Sequence, residues 1–363
     1  MTNPPNSTST YILPALGIAG LLLVILLVAN NKPSNTPAEN WTTNWKTLPS
    51  FKYARRALSA VAVDGYLYVI GGVDQAGNYI ESVEFSKIQL DGTISNWQST
   101  SALNTGRFYL DAVSSNGYLY ALGGGVGELG AENIPVATVE RARILADGQL
   151  SPWEQLPNML TPRRGLKTVT IADRIYATGG YNGLFLKSIE SARISPSDNV
   201  QPSWRLEPHE ATVDRYIHSA ANHGNYLYVL GGHVQQADKM SYGDIEMTKI
   251  KRDGSLNPWH IERSRLLTPR FIASAFTLNH KLYILGGHNG GTRLNSVEFS
   301  PIFSDGHIGP WEFTTPLNTS RSATSVAVFN NFIYVLGGMG ADGVLNSVEM
   351  ATQAGNGSLG YLQ

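Results

Sequence analysis

One five-residue phrase, the end of an apolar strand followed by a glycine pair, occurs six times at nearly constant spacing. YVLGG occurs twice, and YVIGG, YALGG, YATGG and YILGG occur once each. A period of about 50 residues indicates one repeated supersecondary unit rather than several unrelated domains. The first glycines of the pairs, separated by 52, 56, 52, 55 and 51 residues, are Gly71, Gly123, Gly179, Gly231, Gly286 and Gly337.

Each unit predicts four short β-strands. In the first unit, Asp64-Gly65 joins two apolar runs, which is the strongest short-range signal of a β-hairpin. A second pair, Asp91-Gly92, precedes a strand that carries Trp97. Valine, isoleucine, tyrosine and tryptophan dominate these runs, and no long 3.6-residue period is present, so the repeats are all-β. Four-stranded sheets repeated around an axis form a β-propeller, in which blades protect one another's strand edges.

The combined pattern resembles the kelch repeat. A glycine pair follows an apolar strand, then comes Ser-Val-Glu, as at Ser82–Glu84, and then a turn and a tryptophan. The resemblance covers residues 41–363 and implies a six-bladed β-propeller of four-stranded antiparallel blades. It also implies that the connection entering each blade and the loop after each glycine pair share one face, which is often the binding face.

The two ends of the repeat region predict how the ring closes. Trp45 lies ten residues before Arg55, and Trp97 lies ten before Arg107, so the segment around Trp45 has the register of a fourth strand. The last unit has no terminal tryptophan, and the Trp45 strand is therefore expected to complete the sixth blade. Residues Asn356–Gln363 resemble the start of a fourth strand as well, and they compete for the same place.

The N-terminus differs from the repeats. Tyr11–Ala29 is 19 residues without a charge, close to the length that spans a bilayer, and predicts a transmembrane or signal-anchor helix over 11–30. It follows a tail, 1–10, and precedes a stalk, 31–40. A cleaved signal peptide and a buried helix are the alternatives. Positive charges after the span favour a cytoplasmic propeller. We nevertheless expect an extracytoplasmic one, because anchored propellers more often face outward.

Composition excludes several classes of function. Lys+Arg total 27 against 28 Asp+Glu, which gives no electrostatic footprint for nucleic acid. The absence of cysteine rules out disulfides, cysteine-ligated zinc and the Tyr-Cys cofactor of the copper-dependent galactose oxidases among kelch-type propellers. The glycine-rich stretch 125–130 is not followed by a helix, so it does not predict a dinucleotide site. No zinc-motif spacing occurs among the histidines. We expect no cofactor, no metal and a monomeric propeller.

The repeats also supply an internal control, because a residue present in every blade belongs to the scaffold more readily than to a site. An arginine opens each first strand and a glutamate lies in each third strand. One interpretation is a set of structural Arg–Glu pairs. The other is a ring of guanidinium groups at one mouth of the channel, suited to a carboxylate, a phosphate or an acidic peptide. The arginines are Arg55, Arg107, Arg163, Arg215, Arg270 and Arg321, and the glutamates are Glu84, Glu140, Glu190, Glu246, Glu298 and Glu349.

Residues that break the pattern in one blade are candidates for function. Asp111 and Lys167 replace a serine in neighbouring blades, and we expect them to pair near the channel. His218 stands where other blades have mostly apolar residues. The position after the glycine pair varies freely, and aromatic residues follow or neighbour the repeated arginines. The candidate ligand-binding residues are Arg107, Tyr109, Asp111, Lys167, Tyr181, Arg215, His218, His233, Arg270, His288 and Arg321.

The fold alone does not choose a function. The first hypothesis is a membrane-anchored binding module that recognises a protein, peptide or glycan through the loop face. The resemblance also admits a carbohydrate-active enzyme of the sialic-acid mutarotase or epimerase type, for which Asp111, His218 and the repeated arginines offer an acid/base pair. A purely structural surface protein is the third alternative. A deep polar pocket beside free arginines would favour the enzyme. Arginines engaged by the repeated glutamates around a broad face would favour protein binding.

Overall fold

The computed structural model describes residues 41–128, 130, 133–194, 201–234 and 241–362. Within them the chain forms 28 strands. The first are β1 (Trp41–Thr42) and β2 (Lys46–Leu48). Blade 1 follows with β3 (Ser59–Val63), β4 (Tyr66–Ile70), β5 (Val83–Lys87) and β6 (Gln98–Thr100). Blade 2 contains β7 (Asp111–Ser115), β8 (Tyr118–Leu122), β9 (Gly125–Val126), β10 (Ile134–Pro135), β11 (Val139–Arg143) and β12 (Glu154–Leu156).

The remaining four blades repeat the arrangement. Blade 3 contains β13 (Lys167–Ile171), β14 (Arg174–Thr178), β15 (Ile189–Arg193) and β16 (Trp204–Leu206). Blade 4 contains β17 (Ser219–His223), β18 (Tyr226–Leu230), β19 (Ile245–Lys249) and β20 (His260–Ile261). Blade 5 contains β21 (Ser274–Leu278), β22 (Lys281–Leu285), β23 (Val297–Pro301) and β24 (Glu312–Thr314). Blade 6 contains β25 (Ser325–Phe329), β26 (Phe332–Met339), β27 (Val344–Gln353) and β28 (Leu359–Leu362).

Blades 1 to 5 are four-stranded antiparallel sheets whose strands pair in chain order, for example β3-β4-β5-β6. Blade 2 carries an additional two-stranded hairpin, β9 and β10, in the loop after its glycine pair. Turn chemistry sets the register. Asp64 (φ +51°) and Gly65 (φ +79°) both adopt the left-handed conformation that a tight hairpin turn requires. The all-β propeller expected from the repeats is therefore confirmed.

The glycine pair is the point at which each blade meets the next. Gly71 has a φ of +61°, and a Cβ there would lie 2.9 Å from the backbone oxygen of Arg107 in blade 2. Gly72 donates its N–H to that same oxygen at 2.8 Å. Side chains are thus excluded by close backbone approach as well as by conformation. The same bond recurs in every blade: Gly72→Arg107, Gly124→Arg163, Gly180→Arg215, Gly232→Arg270, Gly287→Arg321 and Gly338→Arg55.

The tyrosine of the repeated phrase also links neighbouring blades. Tyr68, which is fully buried, donates its hydroxyl to the backbone oxygen of Gly148, in the second Asp-Gly turn of blade 2, at 2.8 Å. The hydroxyl of Tyr334 in blade 6 reaches Gly92 in blade 1. Equivalent bonds are Tyr176→Gly254, Tyr228→Gly306 and Tyr283→Gly357. The phrase is repeated because each copy builds one junction between blades.

Both ends of the described chain close the ring. β2 pairs with β27 through Lys46↔Met350 and Leu48↔Val348, so the strand after Trp45 completes blade 6 as the sequence predicts. β28 pairs with another part of β27 and then with β1, through Trp41↔Leu362. The two segments that compete in the sequence are both used. The C-terminal one forms the turn and the start of the outer strand, and the N-terminal one supplies the rest.

A ring of six backbone hydrogen bonds surrounds the axis two residues after each repeated arginine. Each N–H donates to the backbone oxygen of the same position in the preceding blade, and all six residues have φ between +47° and +62°. For β-branched residues such as Ile217 and Ile272 this conformation is costly, and the closed ring of bonds holds it. The members are Ala57, Tyr109, Gly165, Ile217, Ile272 and Ala323.

The expected tail 1–10, membrane helix 11–30 and stalk 31–40 lie outside the described residues. Within the part of the chain that the structure describes, no helix has the length and apolar character needed to cross a membrane.

Candidate functional site

The six repeated arginines are buried inside the blades and engaged there. Arg163 donates to Glu190 at 3.0 Å, to the backbone oxygen of Gly179 at 2.8 Å and to Ser188. Glu190 in turn accepts the N–H groups of Leu160 and Thr161. Burial lowers the pKa of Arg163, and Glu190 opposes the fall. These contacts favour the structural interpretation for the whole set: Arg55–Glu84, Arg107–Glu140, Arg163–Glu190, Arg215–Glu246, Arg270–Glu298 and Arg321–Glu349.

Asp111 and Lys167 meet in the channel, where their charged atoms lie 3.1 Å apart. Asp111 also accepts the N–H of Thr168 at 2.6 Å, its hydroxyl at 2.9 Å and the hydroxyl of Ser59. In blade 1, Ser59 accepts the N–H of Ala112 in the same manner. Asp111 therefore accepts a backbone N–H of the next blade, as the serine at this position does in blade 1. A polar cavity of about 110 Å³ lies beside this pair.

His218 is buried beside the axis. Thr178 donates its hydroxyl to the backbone oxygen of Lys167, so His218 Nε2 is the donor in the 2.9 Å contact between the ring and that hydroxyl. Burial, together with the positive charges of Arg215, Lys167 and Arg163, holds the pKa of His218 well below its ordinary value. The imidazole is neutral, and it contacts a cavity of only about 30 Å³.

Two sets of loops, those that enter each blade and those that follow each glycine pair, form a face that carries aromatic and cationic side chains. The residue after each repeated arginine bridges to the residue after a glycine pair, as in Arg56↔Val73 and Arg164↔Tyr181. The two loop families therefore share one face, as the resemblance implies. We call its aromatic and cationic part, over blades 1 to 4, the arginine–aromatic face. Its residues are Arg56, Tyr79, Phe108, Tyr109, Arg164, Tyr181, Phe185, Tyr216 and His233.

Arg164 is the centre of this face. Its guanidinium carbon lies 4.7 Å from the ring centroid of Tyr181, 5.6 Å from that of Tyr216 and 5.9 Å from that of Phe108. Three blades thus surround one cation with π-systems, which orient it without neutralising it. Gly165 permits this arrangement, because a Cβ there would lie 2.4 Å from the ring of Tyr216.

Arg56 also lies close enough to two tyrosines of the face for its charge to act on them. Burial raises the pKa of the Tyr109 hydroxyl, and the positive charges of Arg56 and Arg164 oppose that rise. Burial also raises the pKa of Tyr79, again against both arginines. Tyr79 stacks on Phe108 with ring centroids 4.7 Å apart. Both hydroxyls stay protonated, and that of Tyr79 donates its proton to the side chain of Asn133.

The remaining predicted residues lie next to this face. His233 packs on Phe271 with ring centroids 4.3 Å apart, and burial lowers its pKa. His288 also packs on Phe271, with ring centroids 5.3 Å apart, and burial together with Arg293 lowers its pKa. The structure therefore brings Tyr109 and Tyr181 together with Arg164 and places His233 beside them. Asp111, Lys167 and His218 stay in the channel.

The two arginines of the face have no carboxylate partner among the described residues. Arg56 and Arg164 take part in no salt bridge there, and the Nε of each is buried without a hydrogen-bond acceptor. All six repeated arginines, by contrast, have a glutamate. A partly buried guanidinium that has no carboxylate partner in the described part of the chain is suited to bind a carboxylate or phosphate of a ligand.

The model of the Kelch motif matches residues 54–84 and 269–298, which cover the entry to the first strand and the glycine pair in blades 1 and 5. The same arginine, glycine pair and glutamate recur in all six blades of the closed ring. The repeats of this propeller are therefore kelch motifs.

Several kelch proteins are similar to this chain over part of their length. Alpha-scruin of Limulus polyphemus is 21% identical over 220 residues, which is 58% of this chain and 22% of the relative. Kelch-like protein 36 of Rattus norvegicus is 23% identical over 69% of this chain and 38% of its own length. Kelch repeat and BTB domain-containing protein 1 of Cowpox virus (strain Brighton Red) is 25% identical over 66% and 38%. The chain thus spans less than two fifths of these relatives.

The structure of YjhT has the same fold. It aligns with a TM-score of 0.66 at 16% sequence identity, covering 86% of this chain and 98% of that one. At this identity the likeness concerns the fold. The kelch propeller therefore has to be assigned a function from its own residues.

Sequence reasoning does not single out Arg56, Arg164, Tyr79 and Phe185 in this kelch propeller. A signal for two of them is present, since the position after the repeated arginine is Arg56, Phe108, Arg164, Tyr216, Phe271 and Ser322 in blades 1 to 6. Arginine breaks an otherwise mainly aromatic rule in two blades. This signal is easily missed, because the repeated arginines stand directly before these residues in the sequence.

Proposed function

We propose that this propeller is a binding module whose arginine–aromatic face recognises an acidic segment of a protein or peptide. The observation that carries the proposal is the pair of arginines, Arg56 and Arg164, which lack a carboxylate partner among the described residues and lie among aromatic rings. Acidic side chains of a partner would supply charge-assisted hydrogen bonds, and the rings would supply apolar contact area. Two of the relatives, Kelch-like protein 36 and Kelch repeat and BTB domain-containing protein 1, are kelch proteins, a class typical of protein-binding modules.

The carbohydrate-enzyme alternative has less support from the geometry. Its acid and base candidates, Asp111 and His218, lie in the channel rather than on the loop face, and Asp111 is fully engaged by donors of neighbouring blades. The backbone ring separates them from the face, and the cavity at that ring is only about 30 Å³. The larger cavity in the channel, of about 400 Å³, is big enough for a small ligand, but its lining contains neither Asp111 nor His218 and has no titratable side chain among the described residues.

A peptide selection tests the proposal directly. A library of random peptides displayed on phage is panned against the purified protein, and selected peptides are measured by fluorescence anisotropy. We expect enrichment of Asp and Glu, and a loss of affinity of about 10- to 100-fold in Arg164→Ala, since a hydrogen bond to a charged group contributes about 1.5–3 kcal/mol. Arg56→Ala should show the same direction.

The matched control is Arg174→Ala. Arg174 belongs to the same blade but follows the hairpin turn at the opposite end, where it donates to Ser191. Its loss should leave peptide affinity unchanged. Selected peptides without acidic residues, or equal losses in Arg164→Ala and Arg174→Ala, would contradict the proposal. A thermal-shift response to sugar acids that vanishes in Asp111→Ala would instead favour the enzyme alternative.

We further propose that the uncharged segment Tyr11–Ala29 anchors this binding module in a membrane, with the propeller on the extracytoplasmic side. Its length and lack of charge support the anchor. Alkaline carbonate extraction of the expressed full chain should leave it in the membrane pellet, and protease added to intact cells should digest the propeller. Release into the supernatant would refute the anchor, and protection from protease would refute the orientation.

A further inference from the structure

Two histidines and one glutamate from neighbouring blades meet at the rim of the propeller. Glu262 Oε1 lies 3.2 Å from His260 Nε2 and 3.0 Å from His307 Nδ1. One ligand atom from each of the three residues lies within 4.8 Å of the other two. His260 belongs to β20 of blade 4, and His307 follows the Asp305-Gly306 turn of blade 5.

Each member of this cluster is held by the fold. Glu262 is almost fully buried, with 3% of its side chain exposed, and its N–H donates to Ile245 in the adjacent strand. Asp305 accepts the N–H of His307 at 3.1 Å and so fixes the turn that presents this imidazole. The two histidine side chains are half-exposed, which leaves the cluster open to solvent on one side.

The preceding pair of blades provides an internal comparison. Glu207 stands at the position of Glu262, three residues after the blade's tryptophan, and it too binds an N–H of the next blade, that of Leu256. Its carboxylate is neutralised by Arg205 at 3.1 Å and accepts the hydroxyl of Ser191. Its counterpart to His307 is Ser255. The same structural glutamate thus has a permanent cation between blades 3 and 4.

Between blades 4 and 5 that cation is replaced by imidazole. His260 occupies the place of Arg205, and Met247 occupies the place of Ser191, so neither the guanidinium nor the hydroxyl is present. The buried carboxylate of Glu262 is left with two imidazoles and the N–H of Ile308. A buried carboxylate needs a compensating positive charge, and a metal ion held by two histidines provides it.

The donor set and spacing suit zinc. Zinc takes histidine nitrogen and carboxylate oxygen at about 2.0–2.1 Å in tetrahedral geometry, which places ligand atoms about 3.3 Å apart. The separations of 3.0 and 3.2 Å between Glu262 Oε1 and the two nitrogens are close to this value. The two nitrogens lie within 4.8 Å of each other, so a rotation of the half-exposed imidazoles completes the geometry. Three protein ligands leave the fourth position for water or another ligand.

We propose that His260, Glu262 and His307 form a zinc site that clips blade 4 to blade 5 at the rim. The outer strand of blade 4, β20, has only two residues, whereas those of blades 1, 2, 3 and 5 have three. A metal bound to both blades ties this shorter outer strand, which among the described strands otherwise pairs only with β19 of its own blade, to the turn of blade 5. Because the ligands must be deprotonated, zinc affinity falls as the pH is lowered.

The test is zinc titration of the full chain, solubilised in mild detergent without a histidine tag and freed of metal, against a chromogenic zinc chelator. We expect one equivalent of saturable zinc, and a melting temperature that rises with zinc. His307→Ser and His260→Arg reproduce the residues of the preceding blade pair. Each should lower zinc affinity at least tenfold and abolish the thermal shift without unfolding the protein.

A second pair of histidines provides the control. His223 and His280 also lie close together, 3.1 Å apart, at another turn, so His223→Ser should leave the tightest zinc equivalent unchanged. The double variant Arg205→His/Ser255→His recreates the cluster beside Glu207 and should raise the stoichiometry from one to two. Zinc binding that is undetectable in the wild type, or equally tight in His307→Ser, would overturn the proposal. Loss of the tightest site in His223→Ser alone would overturn it as well.

Discussion

Replacement of Arg163 by methionine is expected to lower the free energy of unfolding by about 3–5 kcal/mol, because it removes one partner of a buried ion pair and leaves the other uncompensated. Glu190 would retain only the N–H groups of Leu160 and Thr161, and the backbone oxygens of Gly179 and Ser188 would lose their donor. Urea denaturation followed by tryptophan fluorescence measures the loss.

Two further variants separate the buried pair from a general effect of removing an arginine. Arg193 pairs with Asp173 on the surface, with 75% of its side chain exposed, and Arg193→Met should cost less than about 1 kcal/mol. Arg163→Met combined with Glu190→Leu should be less destabilised than Arg163→Met alone, since no isolated charge remains. Equal losses in Arg163→Met and Arg193→Met would show that the repeated pairs are dispensable, and would reopen their interpretation as ligand-binding groups.

Trp45→Ala is expected to cost about 3–5 kcal/mol, the usual range for deleting a buried tryptophan side chain. Trp45 is 2% exposed, donates its indole N–H to Thr315 and accepts a bond from Asn318 on its backbone oxygen. The strand that follows it, β2, belongs to blade 6 only through non-covalent contacts, so weakening Trp45 also weakens ring closure. Denaturation gives the loss, and limited trypsin digestion reports detachment by cleavage at Lys46.

Trp97→Ala is the control, because Trp97 has the same place in blade 1 but is partly exposed, and its strand is covalently continuous with its blade. We expect a smaller loss and no new cleavage at Lys46. The role assigned to Trp45 in closure would be wrong if trypsin cut both variants at the same rate and their unfolding midpoints coincided.

The number of blades, their strand pattern and the use of the Trp45 strand in closure follow from the sequence. These features rest on local signals, such as the Asp64-Gly65 hairpin turn and the repeated glycine pair, each of which carries its physical reason in a few adjacent residues. Local signals could not decide which end of the repeat region forms the outer strand of blade 6. The solution, with β2 and β28 both paired to β27, depends on the length of β27, whose ten residues accommodate both partners.

The candidate site was predictable only in part. Tyr109 and Tyr181 lie on the proposed binding face, whereas Arg107, Arg215, Arg270 and Arg321 are buried inside their blades. Adjacent residues at the entry to a strand point in opposite directions, so Arg163 turns into the blade and Arg164 turns out to the face. Sequence shows two neighbouring arginines. It does not show which one meets a glutamate.

The sequence by itself determined a repeated four-stranded unit and a closed ring, because turn chemistry and strand periodicity act between residues close in the chain. Tertiary structure alone decided which charges are compensated. Arg164 lies among aromatic rings of three blades, and Glu262 contacts His307, which is 45 residues away in the sequence. Such groupings depend on how blades pack around the axis, and no local pattern encodes the distance between side chains of different blades.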